Sequence, residues 1–355
     1  MLEPSEILFA GNSGTAMRLI VGLLSASPFS SEITGDDSLI KRPMGRIIKP
    51  LSLMGADISS KNGDDLPPLF IQGKQLQGIK YEMPISSAQV KSCLMIAALH
   101  SEGKSEIIQP SLSRDHTERM ISAMGGNVAQ EGLKVIVNPS DLTSKDISVP
   151  GDISSAAFWM VLGCIHPESK VKITNIGINS TRLGIIDVLK SMNANLYLEN
   201  EREVNNEPVA DVIVESSDLT SIEISGDLVP RIIDELPILA LAASFAEGQT
   251  VVKNASELKF KESDRILATV EGLSSLGADI IATDDGFIVN GGKKLTGGHC
   301  FSHGDHRIAM TMAIAGIMAE GYTTITGAEA VDVSYPMFWD TLKILCGSLD
   351  LRKNE

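Results

Sequence analysis

Leu53-Met-Gly-Ala-Asp-Ile58 and Ser275-Leu-Gly-Ala-Asp-Ile280 are near-copies of one phrase, and the chain holds two looser versions, Ala123-Met-Gly-Gly-Asn-Val128 and Ser191-Met-Asn-Ala-Asn-Leu196. In each, an amphipathic helical stretch stops and a strand-like stretch starts. A fainter copy, Leu345-Cys-Gly-Ser-Leu349, closes the chain. The central residues are Gly55, Gly125, Asn193, Gly277 and Gly347, spaced by 70, 68, 84 and 70 positions. Glycine or asparagine there suits the left-handed residue that ends a helix. One such turn is commonplace; five at a near-constant step indicate a duplicated unit.

A second series alternates with the first: Gly11-Asn-Ser-Gly-Thr-Ala-Met-Arg18, Pro84-Ile-Ser-Ser-Ala-Gln89, Pro150-Gly-Asp-Ile-Ser-Ser155, Pro230-Arg-Ile-Ile-Asp234 and His303-Gly-Asp-His-Arg307. Each reads as a turn with capping residues ahead of a helix dense in Ala, Leu, Met and Ile, such as 90–99 or 308–318. A helix that is apolar all round is buried. The unit therefore holds one buried and one amphipathic helix, with short strands between, for example 135–137 and 287–289. Five units account for the 355 residues. Two domains would divide six units evenly, so one unit of about 70 residues is expected to be missing ahead of Met1, by truncation or a mistaken start. A genuine five-unit protein is the alternative. The expected domains are 1–149, with two units, and 150–355, with three.

Composition narrows the function classes. The net charge is −15 and aromatic residues are 4% of the chain, which disfavours a nucleic-acid partner. Cys93, Cys164, Cys300 and Cys346 form no close pair, so neither a zinc site nor a disulfide framework is indicated. The longest nearly apolar stretch, 308–319, is too short to span a bilayer. A cytoplasmic α/β protein is expected.

The turns ahead of the buried helices carry the chemistry. Free N–H groups and the positive end of the dipole make a helix start an anion site. Arg18, Arg42, Lys91, Arg114, Lys261, Arg265 and Arg307 lie near such starts, so an acidic protein gathers positive potential locally. Each motif alone has a plainer reading. Gly14 suits a tight turn, Ser86-Ser-Ala-Gln89 a helix cap, and Ser113-Arg114-Asp115-His116 a solvated cap. Lys261-Glu-Ser-Asp-Arg265 could be a charged first helical turn, although cations there oppose the dipole. Asp234 enters an apolar run either as a cap or as an acid–base group.

Taken together, these motifs resemble one family over essentially the whole chain: 5-enolpyruvylshikimate-3-phosphate (EPSP) synthase, or 3-phosphoshikimate 1-carboxyvinyltransferase. The most specific elements are Gly11–Arg18, Lys41-Arg-Pro-Met44, Lys261–Arg265 and Gly304-Asp-His-Arg-Ile-Ala-Met310. The resemblance implies an α/β, two-domain enolpyruvyl transferase fold of repeated βαβαββ-type units around buried helices, with five of six units present. It implies attack of the 5-hydroxyl of shikimate 3-phosphate on C2 of phosphoenolpyruvate, protonation of C3, and loss of phosphate from a tetrahedral intermediate. Neither a metal nor an organic cofactor is implied, and a monomer is expected.

By the same resemblance, Arg42, Arg265 and Arg307 clamp phosphoenolpyruvate, and Gly14 lets backbone approach it. Ser87, Ala88 and Gln89 hold shikimate 3-phosphate, with Gln89 reaching phosphoenolpyruvate too. Ser113 and Arg114 meet the phosphate or carboxylate of the shikimate ring. Asp234 is the base at the 5-hydroxyl, beside Lys261; Glu262 handles the proton at the methylene carbon, supported by His306. Because Gly14 has no Cβ, sensitivity to glyphosate is expected. The pattern departs twice. The family's opening Lys-Ser and Arg segment is not in the sequence, so a catalytically impaired fragment is an alternative. Val333 stands where many members carry a lysine. UDP-N-acetylglucosamine enolpyruvyl transferase is the rival enzyme, but no cysteine lies between Thr15 and Arg42, where that family usually has one.

Overall fold

The computed structural model describes residues 2–61 and 63–347. The second half of the last repeat phrase, Ser348-Leu349, lies outside them. The described residues form two compact units, the first running to Ser148 with Asn205–Glu207, the second comprising Val149–Val204 and the residues from Pro208 onward.

In the first unit, one sheet runs in the order Leu8–Phe9, Ser30–Thr34, Leu69–Gln72, Asp57–Ser60. The first pair is parallel and the other two are antiparallel. A second sheet repeats this order and these directions with Lys80–Glu82, Ser105–Ile108, Lys134–Val137 and Val128–Glu131. The helices α1 (Gly14–Ser25) and α3 (Ala88–Ala98) cross between the parallel strands. The helices α2 (Gly45–Leu53) and α4 (His116–Ala123) lead into the antiparallel pairs. This is a βαβαββ unit, twice.

The second unit continues the pattern. Its central helices are α5 (Ile153–Ile165), α8 (Leu236–Ser244) and α10 (His306–Met318). The amphipathic ones are α6 (Gly184–Ser191), α9 (Arg265–Ser275) and α11 (Phe338–Cys346). The sheet of Glu223–Ile224, Gln249–Val252, Gly286–Asn290 and Asp279–Thr283 has the same order as those of the first unit. The stretch 230–234, read from the sequence as a turn, is partly a short helix of its own, α7 (Val229–Ile232), because Pro230 fits a first helical turn.

The repeated phrase has one geometry. Gly55, Gly125, Asn193 and Gly277 have φ of 91°, 83°, 69° and 87°. The following residue reaches back five positions each time: Ala56 N–H to Leu51, Gly126 to Ile121, Ala194 to Leu189 and Ala278 to Leu273, at 2.8–3.0 Å. This bond caps the helix and turns the chain into the edge strand. At Gly55 an added Cβ would meet nothing, so the residue is dictated by φ alone.

Each unit has its own core. The helices α5, α8 and α10 are buried almost throughout, as apolar all-round helices must be. Among the described residues, no helix is long and apolar enough to cross a membrane. In the first unit, α1 lies against α3 at Gly22, where a Cβ would stand 2.4 Å from the carbonyl oxygen of Cys93. Backbone cannot yield as a flexible side chain can. Gly22→Ala is therefore expected to cost about 1–3 kcal/mol by overpacking. Urea unfolding checks this; an unchanged midpoint would show that the two helices can separate freely.

Candidate active site

The first unit gathers four sequence-predicted groups at the start of α1. Ser13 caps this helix, accepting from the Ala16 N–H at 3.0 Å. Gly14 follows, and a Cβ built there would lie 3.2 Å from Arg18 Nη1 and 3.7 Å from Arg42 Nη1. Arg42 donates to Asn12 Oδ1 at 3.1 Å and Ser38 Oγ at 3.2 Å, and Asn12 donates to Asp36 at 2.7 Å. Gln89 is reached by Arg18 through a short hydrogen bond and itself donates to Thr15 Oγ1 at 2.7 Å. Gly14, Arg42 and Gln89 are thus brought together by α1. Burial, then the charges of Arg42 and Arg46, pull Arg18 below the usual guanidinium value. Arg46, in the first turn of α2, adds to this positive cluster and was missed in the sequence. Its signal would have been a second arginine four positions after Arg42, just past the Lys-Arg-Pro-Met motif.

The start of α3 supplies the next group. Ser87 caps it through the Val90 N–H at 3.4 Å, and Ala88 is the first helical residue. Ser113 is held by Gln109, which accepts from its N–H at 3.1 Å and its hydroxyl at 2.7 Å. Arg114 follows, half-buried, ahead of α4. One expectation is corrected. Lys91 is not an open cation: it has no exposure, lies 2.5 Å from Glu118 Oε1, and donates to the Ser113 carbonyl at 3.4 Å. A buried ammonium needs such a partner.

In the second unit, Arg265 organises the candidates. It opens α9 with 1% exposure. Nε donates to Asp305 Oδ2 at 2.7 Å, Nη1 to Asp234 Oδ1 at 3.2 Å, and Nη2 to Glu262 at 2.6 Å and Asp305 Oδ1 at 3.3 Å. Four of its five N–H groups are taken. Lys261 Nζ donates to the same Asp234 oxygen at 3.1 Å. Asp234 does not cap α8; the cap position is Glu235. Nor do Lys261 and Glu262 sit in a first helical turn, since α9 begins at Arg265 and is capped by Asp264. Asp234, Lys261, Glu262 and Arg265 are thereby one cluster.

Asp305 caps α10, accepting from the Arg307 N–H at 2.9 Å. Burial pushes its carboxyl up, but the charge and hydrogen bonds of Arg265 outweigh that and hold it below the usual carboxylate range. Burial, then Arg307, hold His306 below the ordinary imidazole value, so His306 is neutral at pH 7. The Arg307 guanidinium makes no hydrogen bond or ion pair among the described residues. Val333 is exposed, at the end of the 3-10 helix Ala328–Val333.

The second unit thus holds buried helices that begin at guanidinium–carboxylate clusters within βαβαββ-type units. Comparison with known proteins supplies the class. The EPSP synthase (3-phosphoshikimate 1-carboxyvinyltransferase) family model matches residues 1–342. The 3-phosphoshikimate 1-carboxyvinyltransferase of Syntrophomonas wolfei is 49% identical over 97% of this chain and 81% of its own length. That of Brevibacillus brevis is 52% identical over 96% and 80%. A solved EPSP synthase from Acinetobacter baumannii superposes with a TM-score of 0.89 at 46% identity, covering 97% of this chain and 79% of that one. The chain belongs to the EPSP synthase family.

Two measurements check this cluster. Arg265→Ala strands the buried Asp305 carboxylate, and breaking a buried pair on one side costs about 3–5 kcal/mol; urea unfolding reads the loss. NMR titration of His306 is expected to give a midpoint below 6.5, rising when Arg307 is replaced by Met. No rise would mean that Arg307 does not act on the ring.

Proposed function

We propose that this protein transfers the enolpyruvyl group of phosphoenolpyruvate to the 5-hydroxyl of shikimate 3-phosphate and releases phosphate. The observation that carries the reading is the Asp234–Lys261–Arg265–Glu262 cluster in a chain about half identical to named carboxyvinyltransferases. The reaction needs a base at the attacking hydroxyl and an acid at the methylene carbon. Asp234 takes the hydroxyl proton, with Lys261 fixing its orientation. Glu262 delivers a proton to C3, and neutral His306 supports it. Arg42, Arg307 and the remaining N–H of Arg265 meet the anionic groups of phosphoenolpyruvate, for which guanidinium forks are well shaped. Gly14 keeps the approach between Arg18 and Arg42 open. Ser87, Ala88, Gln89, Ser113 and Arg114 hold shikimate 3-phosphate.

The reading takes the two units as domains 1–149 and 150–355 of a cytoplasmic monomer that uses neither metal nor organic cofactor. Four free thiols fit a reducing compartment. Full turnover is proposed to need a sixth repeat unit bearing a Lys-Ser segment and an arginine. Supporting this, the chain covers 81% of the Syntrophomonas relative, and two repeat units are described in the first compact unit.

Phosphate release with both substrates tests the proposal. In the protein completed with that unit, Asp234→Ala and Glu262→Ala are each expected to lower kcat by about a hundredfold or more while the fold survives. A normal rate in either variant removes that residue from the mechanism. Turnover by the present chain alone would remove the need for the sixth unit.

A further inference from the structure

The loop between the strand Ser105–Ile108 and α4 carries Ser113, and buried side chains engage all three of its polar groups. Gln109, 1% exposed, accepts at Oε1 from both the Ser113 N–H, at 3.1 Å, and the Ser113 hydroxyl, at 2.7 Å. Lys91, buried on α3 and paired with Glu118, donates to the Ser113 carbonyl at 3.4 Å. Ser86 adds a further tie, donating to the Ser111 carbonyl at 2.7 Å. Leu112, between the two serines, is exposed, so these polar bonds rather than an apolar anchor hold the loop there. Gln109 is itself fixed, its N–H bonding the Leu133 carbonyl at 3.0 Å. The orientation of its amide follows from chemistry: the Ser113 N–H needs an acceptor, so Oε1 must face it. Nε2 is then buried with no hydrogen bond among the described residues. An apolar side chain would avoid the cost of that unmet donor. What the amide supplies in return is a fixed Ser113.

We propose that Gln109 is a positioning residue that holds Ser113 ready to meet an anionic group of shikimate 3-phosphate. The inference rests on the proposed reaction for the identity of that ligand. A serine hydroxyl has one proton, and Gln109 takes it. When the ligand arrives, the hydroxyl turns that proton to a ligand oxygen, while the bonds from the Ser113 N–H to Gln109 and from Lys91 to the Ser113 carbonyl keep the backbone in place. The loop is thereby ordered before binding, and the ligand is spared that entropy loss. Binding of shikimate 3-phosphate to the full chain is followed by calorimetry in wild type, Gln109→Met, Gln109→Glu, Ser113→Ala and the double variant Gln109→Met with Ser113→Ala. Met fills a similar volume without an acceptor, whereas Glu keeps an oxygen for the same two bonds.

Gln109→Met is expected to weaken binding about tenfold, the scale of one side chain left to be ordered by the ligand. Gln109→Glu regains most of that loss, and Gln109→Met has little further effect once Ser113 is Ala. If Gln109 only competes with the ligand for the Ser113 proton, Gln109→Met tightens binding, and the proposal is overturned. It is also overturned if Ser113→Ala leaves binding unchanged, if the two effects simply add, if Gln109→Glu binds as poorly as Gln109→Met, or if the wild-type chain does not bind the ligand. Should Gln109→Met fail to fold, Gln109→Asn, which withdraws the oxygen by one methylene, is expected to give a loss of the same sign, and no loss overturns the proposal. The expected binding pattern without any turnover in the completed protein would sink the reaction while leaving this inference standing. Turnover in the completed protein with binding unchanged in Gln109→Met would do the reverse.

Discussion

A guanidinium with almost no water around it governs the second unit. Taking Arg265 and Asp305 out of solvent costs several kcal/mol per ion, repaid only where the geometry is good and the remaining hydrogen-bonding groups are met. Here the repayment is nearly complete: four N–H groups reach three carboxylates. The result is a rigid frame. Asp234, Glu262 and Asp305 come from three separate stretches of chain, yet a single planar group fixes them relative to one another.

The same device appears one repeat earlier, with Arg182 between Asp152 and Glu235. In the last repeat the link is aromatic. Trp159 of α5 donates to the Tyr335 hydroxyl at 3.1 Å, just ahead of α11, and stacks on Phe338 at 5.0 Å. Phe338 meets Phe158 edge-on at 6.2 Å. Two arginine links thus tie the starts of α5, α8 and α10, and a ring cluster ties the middle of α5 to the start of α11. The ring contacts carry no desolvation penalty for charge, and Asp305 is left to Arg265, the Ser263 hydroxyl and the cap bond from the Arg307 N–H.

What could be read from the sequence follows from how local each requirement is. The turns at Gly55, Gly125, Asn193 and Gly277 were legible because a positive φ is a demand of one residue on itself. The central helices were legible because an apolar circumference has no other use. The EPSP synthase motifs were legible as strings. The burial of Lys91 and Arg265 was not, since nothing near Lys91 announces Glu118, and Asp305 lies forty residues from Arg265. Arg182 gave no signal for the same reason. Its meaning depends on a carboxylate that only the stacking of repeats brings near. A reading from residues sees the cation and assigns it to a ligand; packing decides whether another side chain has already claimed it.

Helix caps make the two units chemically unlike. In the second unit, α5, α9 and α10 are capped by Asp152, Asp264 and Asp305, whose carboxylates consume the first N–H groups and offset the dipole. Such starts repel an anion unless an arginine stands beside them. In the first unit, α1 and α3 are capped by the neutral hydroxyls of Ser13 and Ser87. Their positive ends stay uncompensated, and Arg18, Arg42 and Arg46 reinforce the first. The first N–H groups are therefore met by neutral hydroxyls at α1 and α3 and by carboxylates at α5 and α10, while α8 has no side-chain cap bond. In the second unit, the helix-start cations Arg182, Lys261 and Arg265 are committed to carboxylates, whereas the Arg307 guanidinium makes no hydrogen bond or ion pair among the described residues.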